Sequence, residues 1–412
     1  MEKDFMSTWV KQKLGNVVDI NLRTINKDFP HHQIEYVDIS SVGTGKLESI
    51  TLLNLSEAPS RAKRLVENGD TILATVRPNR RSFLYVKNPP KNRVVSTGFA
   101  VLTPSKIDSR FLYYIICQQE FTDYLSKNAK GAAYPAIDEE IINRADVLIP
   151  DPTTQTRIGS LLSAYDDLIE INEKRIKILE EMAERLYNEW FVKFKFPGHE
   201  KIKMIESGAE YEKIPEGWEI KTVEKVFKIL GGGTPSRSVS EYWRGEINWY
   251  TPSDITATNQ MFTDRSLEQI SELGLKKSSA KLFPPYSIMM TSRATIGAIS
   301  INTFYSTTNQ GFIVCIPNEK STLCYLYYWL KQHVPLFIEL GSGATFKEIS
   351  KGNFKKIKIL LPRPDLINQF ESKLKISGDL ILRLQRENRT LAKIRNLLIP
   401  QLVSGRRELK IK

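Results

Sequence analysis

Four histidines, His31, His32, His199 and His333, are the chain's whole supply of imidazole. A zinc hydrolase needs two ligands on one helical face, as HExxH or HxxxH spacing provides, and none of the four has that spacing. Phosphate chemistry needs a glycine-rich turn backed by a lysine. The "GGG" that begins at Gly231 has neither the lysine of a Walker A loop nor the GxGxxG pattern of a dinucleotide cradle. Cys117, Cys315 and Cys324 form an odd set without CxxC spacing, so neither a disulfide framework nor a zinc ribbon is indicated, and buried free thiols are expected.

Two partial signatures remain. Amine methylation on a flipped base uses an Asn-Pro-Pro-aromatic tetrad, in which the asparagine holds the target amine and the ring stacks on the base. In "KNPPK" the asparagine is Asn88, but Lys91 stands where the ring belongs, and no glycine-rich cofactor motif precedes it. It reads as a turn between strands. Asp365 with "ESK" at Glu371–Lys373 has the residue types of a nuclease metal site, yet these residues fall in the opening turns of a long helical pattern, at ordinary surface positions. No assembled catalytic set is visible, and binding is the better reading. Lysine and arginine total 59 against 47 acidic residues, a net +12 over 412 residues, which makes a polyanion a plausible partner.

The elements that would position binding residues are written twice. "GAAYPAI" from Gly131 and "GATFKEI" from Gly343 lie 212 positions apart, as do "VLIPDP" from Val147 and "ILLPRP" from Ile359. "TGFAVLTP", ending at Pro104, matches "NQGFIVCIP", ending at Pro317, at an offset of 213. "FLYYIICQQ" matches "YLYYWLKQ", "TILATVRP" matches "SIMMTSRA", and Trp9 matches Trp218. Six matches in one order imply duplication. Each half mixes short β-type runs such as "DTILATV" with an amphipathic helical stretch, "FLYYIICQQEFTDYL", so each predicts a mixed α/β globular domain.

Each half ends in a long helical pattern. Ile158, Leu162, Tyr165, Ile169, Ile176, Leu179, Leu186 and Trp190 recur at threes, fours and sevens, and Ile367, Phe370, Leu374, Ile381, Leu384, Leu391, Leu398 and Leu402 repeat the stripe. Asp151-Pro152 is a good start for the first helix and Pro197-Gly198 a good stop. The two stripes predict an antiparallel coiled coil with Asn172 and Asn388 on its seam, a rod on the order of 58 Å long at about 1.5 Å per residue. The start of the chain is unlike a secretory signal, and no apolar run has the length to cross a bilayer, so a soluble cytoplasmic protein is expected.

"GGGTPSRSVSEYWRGEINWYTPSDI", "TSRATIGAISI" and "TNQGFIVCIP" closely resemble the target-recognition domain of specificity subunits of type I restriction-modification systems, and "LLIPQLVSGRREL" resembles the close of that family's second conserved helix. The first half departs from the pattern, with "YVDISS" for "YTPSDI" and "TVRP" for "TSRA". The resemblance implies target-recognition domains over 1–150 and 197–362, the latter including a linker at 197–214, and spacer helices over 151–196 and 363–412. It also implies a subunit without catalysis that binds a bipartite, asymmetric double-stranded DNA sequence. Each domain would read one half-site. Two modification subunits would dock on the helices and bring S-adenosylmethionine for adenine methylation; a restriction subunit would bring ATP and magnesium. No cofactor or metal would bind this chain. Alternatives are a specificity subunit serving an orphan methylase, a self-contained nucleic-acid enzyme, and an adaptor that binds all duplexes alike.

Base-edge recognition favours Arg or Lys on guanine and Asn or Gln on adenine, while phosphates take any exposed donor. In the second domain the candidates are Arg237, Tyr242, Ser292, Arg293, Asn309, Gln310, Thr345, Phe346 and Lys347, with Lys276 and Lys277 as phosphate contacts. In the first they are Arg77, Arg80, Arg81, Thr97 and Tyr134. Against a DNA role for Arg293 stands a structural pairing with Asp254. The opening "GGGTPS" segment reads as scaffold.

Overall fold

The computed structural model of the chain describes residues 9–208, 212–343 and 347–409. Its backbone forms two compact units, Met1–Glu170 with Arg389–Lys412, and Ile171–Asn388. Each unit therefore takes a share of both long helices, a grouping different from the four consecutive segments read in the sequence.

The first unit holds two four-stranded sheets. One runs in the order Val18–Ile20, Phe99–Pro104, Thr71–Ala74, Phe83–Tyr85; the other runs Thr51–Asn54, Gln33–Val37, Arg93–Ser96, Ala62–Leu65. Thr71–Ala74 is wholly buried, which is why it reads as an unbroken apolar run rather than an alternation. The second unit repeats the plan. A five-stranded sheet runs Lys228–Gly231, Phe312–Ile316, Ile288–Thr291, Ile299–Asn302, Phe262–Thr263, beside a three-stranded sheet of Glu268–Ile270, Ile247–Tyr250 and Ser306–Thr308. Each unit is closed by an antiparallel pair joining an early strand to the strand before a long helix: Val10–Lys13 with Asp146–Ile149, and Glu219–Thr222, which follows a small hairpin of Met204–Glu206 and Lys213–Pro215, with Lys358–Leu361.

Strand pairing corrects one sequence match. Ile72 faces Val101 and Met289 faces Val314. Val101 and Val314 are repeat partners 213 apart, so Ile72 and Met289, 217 apart, are partners too. The match of Thr71 with Ser287, 216 apart, is one residue out of register. A one-residue slip reverses which side chain faces which way, so the structural counterpart of Arg77 is Ala294, and that of Arg293 is Val76. Main-chain bonds agree: the Arg77 N–H donates to the Pro135 carbonyl at 2.7 Å, and the Ala294 N–H to the Lys347 carbonyl at 3.0 Å.

The helical stretch beginning at Phe111 is two helices, Ser109–Ile116 and Gln119–Asn128. Asp108 caps the first by accepting from the Arg110 and Phe111 amides. The Cys117 carbonyl, which would continue the helical ladder, accepts from the Arg81 guanidinium at 2.6 Å. Cys117 itself is half-buried, unlike buried Cys315 and Cys324, and burial pushes its thiol up to about 12.

The central helix spans Pro152–Tyr187 and continues into a π-turn, Asn188–Val192; the C-terminal helix spans Pro364–Leu402. Asp151 opens the first, accepting from the Thr154 amide at 3.1 Å and its hydroxyl at 2.6 Å, and these bonds hold its carboxyl below the ordinary value. In the first unit Ile158 and Leu162 are buried in one cluster with Ile399 and Leu402, and Asp166 pairs with Arg395. In the second, Asn172 donates to Asn388 at 2.9 Å, and Tyr187 and Trp190 pack on Phe370 at ring separations of 6.1 and 5.8 Å. Within each unit, ascending positions on one helix meet descending positions on the other. The pair is antiparallel, with both seam asparagines in contact.

Candidate nucleic-acid interface

In the first unit a tight turn joins Lys130 to Ala136 through two main-chain bonds, 2.8 and 2.9 Å long. Gly131 carries it at φ 96°, and a Cβ there would lie 3.1 Å from the Tyr134 carbonyl. The turn holds Tyr134 out in solvent, 68% exposed, unusual for a large ring. Three segments meet at this end of the sheet: the Thr75 N–H donates to the Gly98 carbonyl at 2.8 Å, and the Ile137 N–H to the Thr75 carbonyl at 2.8 Å. Arg77, Arg80, exposed Thr97 and Tyr134 thus share one edge. The Arg77 guanidinium lies 4.5 Å over the Tyr134 ring.

The second unit builds the same edge. The Ser292 N–H donates to the Gly311 carbonyl at 2.8 Å, and the Ile349 N–H to the Ser292 carbonyl at 3.0 Å. These bonds gather Arg293, Asn309, Gln310 and Lys347. Gly343, at φ 129°, occupies the place of Gly131. Thr345 and Phe346 lie outside the described residues. Arg293 is exposed and 3.7 Å from Glu348. It does not pair with Asp254, whose carboxylate instead accepts from the Thr251 amide at 2.8 Å in a capping box and from the Leu267 amide at 2.7 Å. Lys347 and Gln310 are exposed, and Gln310 accepts from the Thr234 hydroxyl at 2.7 Å.

Several candidates serve the fold. Ser292 is 3% exposed because it prolongs the buried strand. Asn309 turns its side chain inward to accept from the Gly311 amide at 2.9 Å, shaping its own loop. Arg81 is held by the Cys117 carbonyl and by Gln119. Arg237 is engaged by its own neighbours. Its fork grips Glu268, with one bond of 2.8 Å, and its plane lies 3.7 Å over the Trp243 ring and 5.1 Å from that of Trp249. That pairing holds the Glu268 carboxyl below its ordinary value. Tyr242 is half-buried and anchored through its carbonyl to the Ser271 amide at 2.9 Å, beside the short helix Glu272–Lys276. Lys276 and Lys277 project from the end of that helix into solvent, Lys276 at 4.0 Å from Glu272.

The triple glycine is a crossing point. A Cβ on Gly232 would lie 1.9 Å from the Asn309 carbonyl, so the two loops can touch only without a side chain there. Glu371, read as ordinary surface, accepts from the Cys324 amide at 2.9 Å at the start of the helix Leu323–Gln332, while Asp365 pairs with Arg363 at 3.2 Å. Neither is set toward the other as a metal site. "KNPPK" is a turn, with Asn88 at φ 44° and its amide bonded to Asn68 at 2.9 Å. Sequence reasoning missed Thr234, Glu268 and Glu348, the partners that decide what Gln310, Arg237 and Arg293 can do.

This duplicated domain has known relatives. The sequence matches the family of the type I restriction modification DNA specificity domain over residues 6–181 and again over 215–369. The chain belongs to that family, and its two copies are target-recognition domains of a DNA specificity subunit. The HindI specificity subunit of Haemophilus influenzae is 26% identical, over 97% of this chain and 100% of its own length. The MjaIX specificity subunit of Methanocaldococcus jannaschii is 34% identical over 44% of this chain and 43% of its own. Among solved structures, the type I restriction-modification S subunit from M. genitalium superposes with a TM-score of 0.60 over 98% of this chain and 97% of its own. At 15% identity that is a likeness of fold.

Proposed function

We propose that this subunit binds a bipartite, asymmetric double-stranded DNA sequence, one half-site per recognition domain, and carries no catalysis of its own. The observation that supports this most directly is the repeated edge, in which the turn at Gly131 and its counterpart at Gly343 stand beside equivalent strand ends while the side chains on the two edges differ. Equivalent frames with different side chains suit two different half-sites. The work of chemistry then falls to partners: two modification subunits that use S-adenosylmethionine to methylate adenine, and a restriction subunit that uses ATP and magnesium. Ile171, Ile178 and Met182 form an exposed apolar stripe on one face of the central helix, about a quarter turn from buried Asn172, and we assign it to modification-subunit docking.

A genome-wide map of methylated adenine in the source cell, with this gene intact and deleted, tests the reading. Loss of methylation at a single two-part motif on deletion is the expected result. An unchanged map in a cell whose partner methylase is active would refute it.

A further inference from the structure

Most arginines of the first unit already have an oxygen partner for the guanidinium. Arg23 grips buried Asp70, Arg61 pairs with Asp38, Arg93 with Glu35, and Arg81 is held by the Cys117 carbonyl. Arg77 differs. Among the described residues no oxygen accepts from its guanidinium, whose contact is the face of Tyr134 at 4.5 Å. A ring face restrains the plane of a guanidinium through cation–π attraction and leaves all its in-plane N–H groups free. The backbone is equally particular: Arg77 sits at φ 52°, a left-handed conformation uncommon for a residue with a side chain, and is fixed there by its amide bond to Pro135, the neighbour of Tyr134. One turn thus sets both the arginine's main chain and the ring beneath its side chain.

We propose that Arg77 reads a guanine in the half-site of the first domain, with Tyr134 as the positioning residue that presents its fork. A planar pair of parallel donors matches the O6 and N7 acceptors of guanine in the major groove, and restraint before binding reduces the ordering cost of making the contact. At the position of Arg77 the other domain carries Ala294, which has no guanidinium to present. This inference rests on the DNA reading above and names one of its specificity contacts.

The test uses the full chain assembled with its methyltransferase subunits and measures affinity for duplexes carrying each of the four bases at every position of the methylated motif. In the wild type one element should contain a guanine whose replacement costs about tenfold or more in affinity. Arg77→Ala and Arg77→Lys should both flatten that preference at that position only, because lysine keeps the charge but lacks the fork. Tyr134→Phe keeps the ring and should keep the preference, whereas Tyr134→Ala should blunt it. Position 77 is already left-handed without glycine, so these replacements add no new backbone strain. If Arg77→Lys binds as the wild type does while Arg77→Ala weakens all duplexes equally and lowers the salt slope by about one, Arg77 contacts a phosphate and the proposal is overturned. A wild-type complex without any two-part motif would instead defeat the underlying reading.

Discussion

A guanidinium can serve the fold or a ligand, and its partners decide which. Arg237 is committed to Glu268 and Trp243, so Arg237→Ala should lower the stability of the second unit by about 1–2 kcal/mol, the sum of an exposed bidentate pair and a cation–π contact. Base preference should not change. Urea unfolding and a duplex panel check this together, and a lost base preference with an unmoved unfolding midpoint would reassign Arg237 to DNA. Nothing in the local sequence exposes the pairing, because Glu268 stands 31 positions away on another segment. Ser292 misleads for a different reason: a small polar residue at a strand end looks solvent-facing until its main chain is seen to continue the buried strand between Gly311 and Ile349. The glycines are more legible in kind than in detail. Gly232→Ala should cost more than about 3 kcal/mol, since its Cβ would meet a carbonyl at 1.9 Å, whereas Gly231→Ala, whose nearest neighbour is the Lys351 ammonium at 3.6 Å, should be tolerated within about 0.5 kcal/mol. Equal losses in thermal unfolding would show that the triple glycine is not a crossing point.

At the scale of elements, periodicity carries further than chemistry does. The heptad stripes place Asn172 and Asn388 on the seam because a helical repeat fixes which side chains share a face. It does not report that Glu387 also accepts from Asn172, at 3.3 Å, or that Gln385 leaves the seam to accept from the Phe262 amide at 3.3 Å. Asn172 is only 1% exposed, so Asn172→Leu alone strands polar partners and should destabilise by about 1–3 kcal/mol, while joining it to Asn388→Leu should recover most of that loss. Thermal unfolding of the two variants decides it, and a harmless single replacement would mean that water, not Asn388, satisfies the amide. The exposed face makes the opposite prediction. Met182, 62% exposed, can become glutamate with stability unchanged to within about 0.5 kcal/mol, yet Met182→Glu should prevent co-purification with the modification subunits. The repeat itself was readable from ordered matches, but its register at one strand was not. "TVRP" and "TSRA" align by their arginines, whereas pairing against the neighbouring strand aligns Arg77 with Ala294, because the backbone bonds and not the side chains set the equivalence.

For the whole molecule the excess of twelve positive charges can be spent in two ways, and they are separable by salt. Neutralising phosphates releases counterions whatever the bases are, so affinity for any duplex falls with salt at about 0.9 per phosphate contacted. Base-edge contacts add discrimination that depends much less on salt. Two recognition domains of one chain therefore predict a particular pattern for the complex with its modification subunits. Scrambling either element of the target should cost a large factor, scrambling both should cost about the product, and the salt slope should change little among the three duplexes because the same phosphates remain in reach. The combined loss should fall in the range of roughly a thousandfold or more that separates specific from non-specific protein–DNA complexes. Titrations at two salt concentrations supply every quantity needed. Equal affinity for all duplexes at both concentrations would make the chain an electrostatic adaptor, and dependence on only one element would leave one of the two domains without a reading role.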